Sequence, residues 1–206
     1  MWRVLKLETL VWAHMYEDTV TYAPRNTASL PVARMIAPKI EPEIVFKMRG
    51  PLAAGLEPAG VLDAVEWLAL GFEIIDCAYA DWKFQPADFV AAYGLHAALI
   101  VGEPRSVDAS TISQLVDQLP TFKVRLSKDE QMVAEGSGRN SLRSPALCLA
   151  ELASAIARQP GAEPLAAGDL VSSGTLTESM PISAGETWSA ALDGLDLPVL
   201  SLHLNT

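Results

Sequence analysis

The sequence predicts an α+β fold that is mostly β, with mixed sheets and two or three covering helices. Apolar and polar residues alternate with a period of two in several short segments, whereas helical spacing occurs in only a few. Proline and glycine separate these segments rather than gathering in a linker, and no internal repeat occurs. With 206 residues, of which 50% are apolar, the chain is long enough to bury one sizeable core.

The first segment with a clear pattern is Lys39–Met48. Its even-numbered residues are apolar and most of its odd-numbered ones are charged, which is typical of a half-buried strand. Residues 1–38 show no comparable pattern apart from a candidate short helix over Trp2–Leu7. We therefore expect an irregular N-terminal remnant, 1–38, followed by a folded domain, 39–206.

Helix and strand signals alternate in the next part of the chain. The spacing of apolar residues over Glu57–Leu70 predicts a helix of about three turns, and Gly71 stands where that helix would end. Phe72–Tyr79 and His96–Val101 are then predicted to be strands, the second of them buried on both faces.

The second half of the chain adds a hairpin, further strands and the clearest helix. A polar stretch at Ser106–Asp117 is predicted to be helical, and Thr121–Leu126 with Gln131–Ala134 is predicted to form a hairpin. Ser144–Gln159 has apolar residues on one side and a proline in its first turn, which favours a helix. The remaining predicted strands are Leu170–Thr177, Thr187–Leu192 and Val199–Leu204.

Composition and charge exclude several classes of function. The chain has 15 Lys and Arg against 25 Asp and Glu and no basic run, so we expect no nucleic-acid partner. No apolar run approaches the roughly 18 residues that cross a bilayer, so we expect no membrane partner. Arg3 and Lys6 interrupt what would be the core of a signal peptide, and Cys77 and Cys148 lack metal-ligand spacing. We therefore expect a cytoplasmic protein with two free thiols.

Two carboxylates stand on the predicted strand Lys39–Met48. Glu41 and Glu43 are two residues apart, so both side chains leave the same face of the strand. Two like charges this close repel each other unless a cation or a proton lies between them, which favours a cation site. The alternative interpretation is a solvated strand face that happens to be acidic.

A third acidic group follows on the next predicted strand, where both Glu73 and Asp76 occur. Three carboxylates would form an oxygen-only site, which suits Mg²⁺ or Mn²⁺ better than zinc. Residues three apart face opposite sides of an ideal strand, so only one of the two is expected to join Glu41 and Glu43. Spacing alone leaves this choice open.

Three separated motifs give the chain a resemblance to a known family. It resembles the fumarylacetoacetate hydrolase superfamily, and within it the branch of 2-keto-4-pentenoate hydratases and 2-oxo-3-hexenedioate decarboxylases, at Pro38–Ile44, Leu70–Asp76 and Ala167–Thr177. The resemblance implies that residues 39–206 form a fumarylacetoacetate-hydrolase-like catalytic domain, with sheets rolled into a barrel or sandwich. It also implies that Glu41, Glu43 and Glu73 bind the divalent metal. Asp76 stands nearer to the third acidic ligand of the hydrolase branch and is the reserve choice.

The activity that this resemblance implies is that of a lyase. A hydratase or decarboxylase of this branch, with Mg²⁺ or Mn²⁺ as cofactor, would act on short 2-oxo or 2-hydroxydienoic acids of aromatic catabolism through a metal-stabilised enolate. The partner would be a small-molecule 2-oxo acid substrate. A homo-oligomer is also expected, because relatives are commonly oligomeric.

Further candidate site residues follow the metal motifs. Lys83 is the candidate for proton transfer or for holding a substrate carboxylate, with an ordinary surface lysine as the alternative. Gly174, Thr175 and Thr177 form a turn that lines the substrate pocket in the family, and a plain turn at a strand end is the alternative. His96 is interpreted as a hydrogen-bonded histidine of the core.

The chain also departs from the family pattern. It begins after the point where a family motif with a catalytic lysine would end, so we expect that lysine to have no counterpart here. The family's Asp-Ser-Arg is Asp76-Cys77-Ala78, and its Ala-Asp-Asn is Ala91-Ala92-Tyr93. Two alternatives to the lyase therefore stay open. One is a catalytically incomplete metal- or ligand-binding module of the same fold, and the other is a C–C bond hydrolase of the fumarylacetoacetate type.

Overall fold

Two β-sheets and four helices make up residues 10–206, the part of the chain described by the structure, a computed structural model. The strands are β1 (Val20–Tyr22), β2 (Thr27–Pro31), β3 (Pro38–Met48), β4 (Val65–Asp76), β5 (His96–Val101), β6 (Arg105–Ser106), β7 (Lys123–Lys128), β8 (Gln131–Ser137), β9 (Leu170–Ser172), β10 (Met180–Pro181), β11 (Thr187–Asp193) and β12 (Leu200–Asn205). The helices are α1 (Pro58–Asp63), α2 (Pro86–Ala91), α3 (Ile112–Gln118) and α4 (Pro145–Ala157). The predicted α+β class with a majority of strands is confirmed.

Both sheets are mixed. The larger, seven-stranded sheet has the order β1-β5-β4-β3-β10, with β6 paired to β4 and β9 paired to β3, and the five-stranded sheet has the order β2-β12-β11-β7-β8. The parallel pairs are β1 with β5 and β2 with β12, whereas the hairpin of β7 and β8 is antiparallel, as predicted. Long β3 and β4 occupy the centre of the larger sheet and pair antiparallel from Pro38 opposite Asp76 to Met48 opposite Val65.

The predicted three-turn helix over Glu57–Leu70 is wrong. Helix α1 has 6 residues, and strand β4 begins at Val65. The segment Val65–Leu70 is apolar at nearly every position, so its pattern fits a helix as well as a strand that is buried on both faces. Pairing with β3 decides for the strand, and Gly71 lies inside it rather than ending a helix. A Cβ atom at Gly71 would lie 2.6 Å from Val45 Cγ2, so close packing requires glycine there.

Other boundaries also differ from the predictions. The strand predicted over Phe72–Tyr79 ends at Asp76, the helix predicted from Ser106 begins at Ile112, and the strand predicted over Leu170–Thr177 ends at Ser172 and continues as a loop. Helix α2 was not predicted. The predictions of β3, β5, α4, β11 and β12 are confirmed within a few residues at their ends.

The N-terminal part of the chain is less irregular than expected. Strands β1 and β2 both fall within residues 1–38, and they pair with β5 and β12 of the two sheets. The expectation of an irregular segment is therefore wrong for this part, because partners far along the chain supply its hydrogen bonds. The helix predicted over Trp2–Leu7 lies outside the described residues, and the domain boundary at residue 38 stays a prediction.

The main apolar core joins the two sheets and the helices. Its largest fully buried side chains include Phe46, Phe72, Phe122 and Trp188, which come from β3, β4, the segment before β7, and β11. Helix α1 packs against α3 and α4. No helix in the described part of the chain has the length and apolar character that a membrane span needs. Both cysteines are free thiols.

Close backbone packing around Gly138 gives a test of this fold. A Cβ atom at Gly138 would lie 1.8 Å from the carbonyl oxygen of Leu119, so Gly138→Ala should lower the free energy of unfolding by about 3 kcal/mol. Gly50→Ala is the matched control, because a Cβ atom there meets nothing within 4 Å, and its effect should stay within about 0.5 kcal/mol. Urea unfolding of both variants measures the difference, and equal stability of the two would contradict the described packing.

Candidate metal centre

The register between β3 and β4 brings three carboxylates together. Glu41 lies directly opposite Glu73, and Glu43, two residues further along β3, leaves the same face. One carboxylate oxygen from each of the three residues lies within 4.8 Å of the others. The structure therefore assembles the acidic cluster that the sequence and the resemblance predicted.

The structure places Glu73, and not Asp76, beside the paired glutamates. Asp76 lies opposite Pro38 at the end of the β3–β4 pair, where its carboxylate accepts hydrogen bonds from backbone N–H groups. Its Oδ2 lies 2.9 Å from the nitrogen of Ile36, and its Oδ1 lies 2.7 Å from the nitrogen of Ala37. Asp76 thus fixes the backbone that leads into β3.

Burial makes the charged form of this cluster unfavourable. Glu43 is 1% exposed and Glu41 is 9% exposed. Burial, together with the nearby charge of Glu73, raises the pKa of Glu41 to about 8. Burial also raises the pKa of Glu43 well above its ordinary value, and the charges of Glu73 and Glu41 raise it further.

The hydrogen bonds of Glu43 leave one oxygen bare. Its Oε2 accepts hydrogen bonds from the Ser172 hydroxyl at 2.5 Å and from the Gly174 N–H at 2.8 Å. Its Oε1 is buried and has no hydrogen-bond partner among the described residues. A bare carboxylate oxygen beside two further carboxylates fits a hard divalent cation, and an oxygen-only set suits Mg²⁺ or Mn²⁺. The residues present therefore fit the predicted metal.

A cavity of about 1150 Å³ opens above the cluster. The three glutamates lie on its wall together with Leu149 and Leu152 of α4. This wall also includes Cys148, but burial raises the pKa of its thiol to about 11, so the thiol is neutral at pH 7 and is a poor nucleophile. A cavity of this volume, lined by both carboxylates and apolar side chains of α4, has room for a small organic acid.

The third motif lies partly on this cavity wall. Gly174 and Thr175 line the cavity, and Gly174 has a positive φ of 88°, which favours glycine. The Thr175 hydroxyl donates to the Thr177 carbonyl at 3.0 Å, and the Thr177 hydroxyl donates to the Glu178 carbonyl at 2.9 Å. Thr177 is buried and is not one of the described residues that line the cavity. The substrate-binding roles of the three residues stay predictions.

Lys83 lies apart from the cluster. It follows a short 3₁₀ turn, Ala80–Trp82, and its Nζ is 3.2 Å from Asp81 Oδ2. Its side chain is 81% exposed, and it is not among the described residues on the cavity wall. The catalytic role of Lys83 stays a prediction from sequence.

Sequence reasoning missed two residues that contact the cluster. His96 Nδ1 lies 2.8 Å from Glu73 Oε1, and the Ser172 hydroxyl donates to Glu43. The contact of His96 depends on the register between β4 and β5, in which Ile75 lies opposite His96. No local pattern encodes that register. Ser172 lies inside the third motif, so that motif was the available signal.

Comparison with known proteins gives the family. The family described as "Fumarylacetoacetate (FAA) hydrolase C-terminal" matches residues 8–197, so the chain belongs to the fumarylacetoacetate hydrolase family. The chain is 30% identical over 181 residues to a 2-hydroxyhexa-2,4-dienoate hydratase of Comamonas testosteroni, a match that covers 86% of this chain and 65% of the relative. It is 29% identical over 164 residues to a 4-oxalocrotonate decarboxylase of Pseudomonas sp., which covers 79% of this chain and 59% of the relative.

Solved structures show the same fold. The 4-oxalocrotonate decarboxylase from Pseudomonas putida G7, complexed with magnesium and adipate, aligns with a TM-score of 0.85 at 24% identity, covering 98% of this chain and 73% of that one. The fumarylpyruvate hydrolase from Pseudomonas aeruginosa, in complex with Mn²⁺ and pyruvate, aligns with a TM-score of 0.61 at 18% identity, covering 91% and 75%. The chain spans less than two thirds of the length of the curated relatives above.

The raised pKa of Glu41 predicts a pH-dependent stability of the metal-free protein. With a folded-state pKa of about 8 against an ordinary 4.5, the folded state binds more protons than the unfolded state between these values. Stability is therefore highest below about pH 4.5 as far as this group is concerned, and it falls as the pH rises toward 8. Glu41→Gln removes this ionisation and should stabilise the metal-free protein at pH 8 by on the order of 4 kcal/mol, because a pKa difference of one corresponds to about 1.4 kcal/mol.

Urea unfolding with a chelator at pH 5, 6.5 and 8 measures this effect. Glu135→Gln on β8 is the matched control, since Glu135 is exposed and lies outside the cavity wall. The control should follow the wild-type pH dependence. An unchanged pH dependence in Glu41→Gln would contradict the assignment of a buried, proton-binding carboxylate.

Proposed function

We propose that this chain is a divalent-metal-dependent lyase, a hydratase or decarboxylase for short 2-oxo or 2-hydroxydienoic acids. The observation that carries the proposal is the buried cluster of Glu41, Glu43 and Glu73, in which Glu43 Oε1 has no described partner, on the wall of a large cavity. Identity of about 30% to hydratases and decarboxylases supports the reaction class.

In this proposal the three glutamates hold Mg²⁺ or Mn²⁺ through carboxylate oxygens. Such a cation, when bound, supplies a Lewis acid that stabilises negative charge on the carboxylate and C2 oxygens of a 2-oxo acid. Ser172 and the Gly174 N–H fix the orientation of Glu43, because both donate to its Oε2. Oε1, which has no hydrogen-bond partner among the described residues, stays available to the cation.

The cavity wall would orient the substrate. Gly174 permits close approach of a ligand to the backbone, and Thr175 lies beside it on the cavity wall with its hydroxyl donating to the Thr177 carbonyl. Leu149 and Leu152 of α4, which also line the cavity, would contact the hydrocarbon part of the acid and exclude water from it. The substrate carboxylate would then lie toward the glutamates and its tail toward α4.

A second candidate function is a metal- or ligand-binding module without catalysis. The observation that favours it is the position of Lys83, which is exposed, paired with Asp81 and away from the described cavity wall. Hydration and decarboxylation both need a group that moves a proton beside the substrate. A chain that binds metal and acid but lacks that group would bind without turnover.

Turnover by the metal-stripped and reconstituted chain decides between the two. With Mg²⁺ or Mn²⁺ restored, we expect one of two reactions. The first is hydration of 2-hydroxypenta-2,4-dienoate, measured as the loss of its ultraviolet absorbance. The second is release of carbon dioxide from 2-oxo-3-hexenedioate. Glu41→Ala should reduce kcat/KM by more than about a hundredfold. Loss of a group that only orients a metal ligand costs roughly 10–100-fold, and loss of a ligand itself should cost more. Glu135→Gln should retain wild-type activity.

Calorimetry supplies the second arm of this experiment. Mn²⁺ binding by the wild-type chain with no turnover of either acid would overturn the lyase and support the binding module. Absence of Mn²⁺ binding altogether would overturn both.

A further inference from the structure

The histidine beside Glu73 is held at both ring nitrogens. His96 is the first residue of β5, and its side chain is 5% exposed. Nδ1 lies 2.8 Å from Glu73 Oε1, and Nε2 lies 2.9 Å from Thr19 Oγ1. Thr19 ends the 3₁₀ turn Glu17–Thr19 directly before β1. A continuous chain of hydrogen bonds thus runs from the N-terminal segment to the acidic cluster.

The hydroxyl of Thr19 holds the outer end of this chain. Its Oγ1 lies 2.7 Å from the Tyr16 carbonyl oxygen and 2.9 Å from His96 Nε2. Contacts at both ring nitrogens fix the ring plane, and Nδ1 then faces Glu73 Oε1 at hydrogen-bond distance.

Glu73 is the member of the cluster that most needs such a partner. Its side chain is 18% exposed, against 1% and 9% for the residues Glu43 and Glu41, so it has the most freedom to turn toward solvent. Glu43 is already fixed by Ser172 and Gly174. The hydrogen bond from His96 removes the corresponding freedom from Glu73.

We infer that His96 is a positioning residue, which fixes Glu73 as a metal ligand and is itself oriented by Thr19. The inference rests on the metal site of the proposed function. It assigns His96 a role in metal affinity in addition to packing, and it makes the segment that carries Thr19 a part of the metal centre. Groups that orient a metal's ligands generally contribute 10–100-fold to metal affinity.

Two substitutions of the same residue separate the two ring nitrogens. In His96→Asn the side-chain amide can take the place of Nδ1 and still donate to Glu73, whereas in His96→Gln it takes the place of Nε2 and reaches toward Thr19. We expect His96→Gln to weaken Mn²⁺ binding roughly 10–100-fold and His96→Asn to retain affinity within a few-fold. Thr19→Val, which removes the hydroxyl bonded to Nε2, should weaken it about tenfold.

The measurement is calorimetric titration of Mn²⁺ into the metal-stripped full chain, with no substrate present. His203→Gln is the matched control, because His203 is exposed and its ring bonds only the Thr187 hydroxyl among the described residues. Its Mn²⁺ affinity should equal that of the wild type. The thermal midpoint of each variant in chelator shows that it is folded, and Thr19→Val, at a partly exposed position, carries the test if His96→Gln does not fold.

The outcomes separate this inference from the proposed function. Wild-type affinity in folded His96→Gln, or in Thr19→Val if that is the variant that folds, overturns the inference alone. Equal losses in His96→Asn and His96→Gln overturn it as well, since they indicate packing around the ring and not the bond to Glu73. No Mn²⁺ binding by the wild type overturns the metal site and the inference with it.

Discussion

The antiparallel register between β3 and β4 determines where each carboxylate of the candidate metal centre lies. Glu41 stands directly opposite Glu73, and Glu43 follows on the same face. Because side chains alternate between the two faces of a strand, a slip of one residue would place Phe72 or Ile74 opposite Glu41. Both of these neighbours are fully buried in the main core, so moving them would cost their apolar packing. Hydrophobic packing on one face of β4 therefore holds the acidic cluster on the other.

This packing maintains an arrangement that electrostatics opposes. Burial and mutual repulsion raise the pKa of both Glu41 and Glu43, so their charged forms are unfavourable in the metal-free protein. Ser172 and Gly174 offset only part of this for Glu43, because they satisfy one of its two oxygens. Unfavourable charge of this kind is typical of functional sites, where it is balanced by what the site binds. A divalent cation would balance it here.

The sequence predicts the parts of this site that depend on local spacing. The alternation along β3 is visible without tertiary information, and it puts Glu41 and Glu43 on one face. The apolar run Val65–Leu70 misled because it fits a helix and a doubly buried strand equally, and only pairing with β3 separates the two. Spacing also left Glu73 and Asp76 open, and the resemblance chose between them. The structure supplies the physical reason, since the Asp76 carboxylate is occupied by backbone N–H groups.

Contacts between distant parts of the chain could not be predicted in this way. Strands β1 and β2 pair in parallel with β5 and β12, and parallel partners are never joined by a tight turn that would mark them in sequence. The contact of His96 with Glu73 depends on an irregular register between Ile74 and Ile75, which no local pattern encodes. The three carboxylates need only two adjacent strands, whereas the groups around them come from β5, the loop after β9 and the N-terminal segment. The cluster is thus the local part of the site, and its surroundings are the part that only the folded chain assembles.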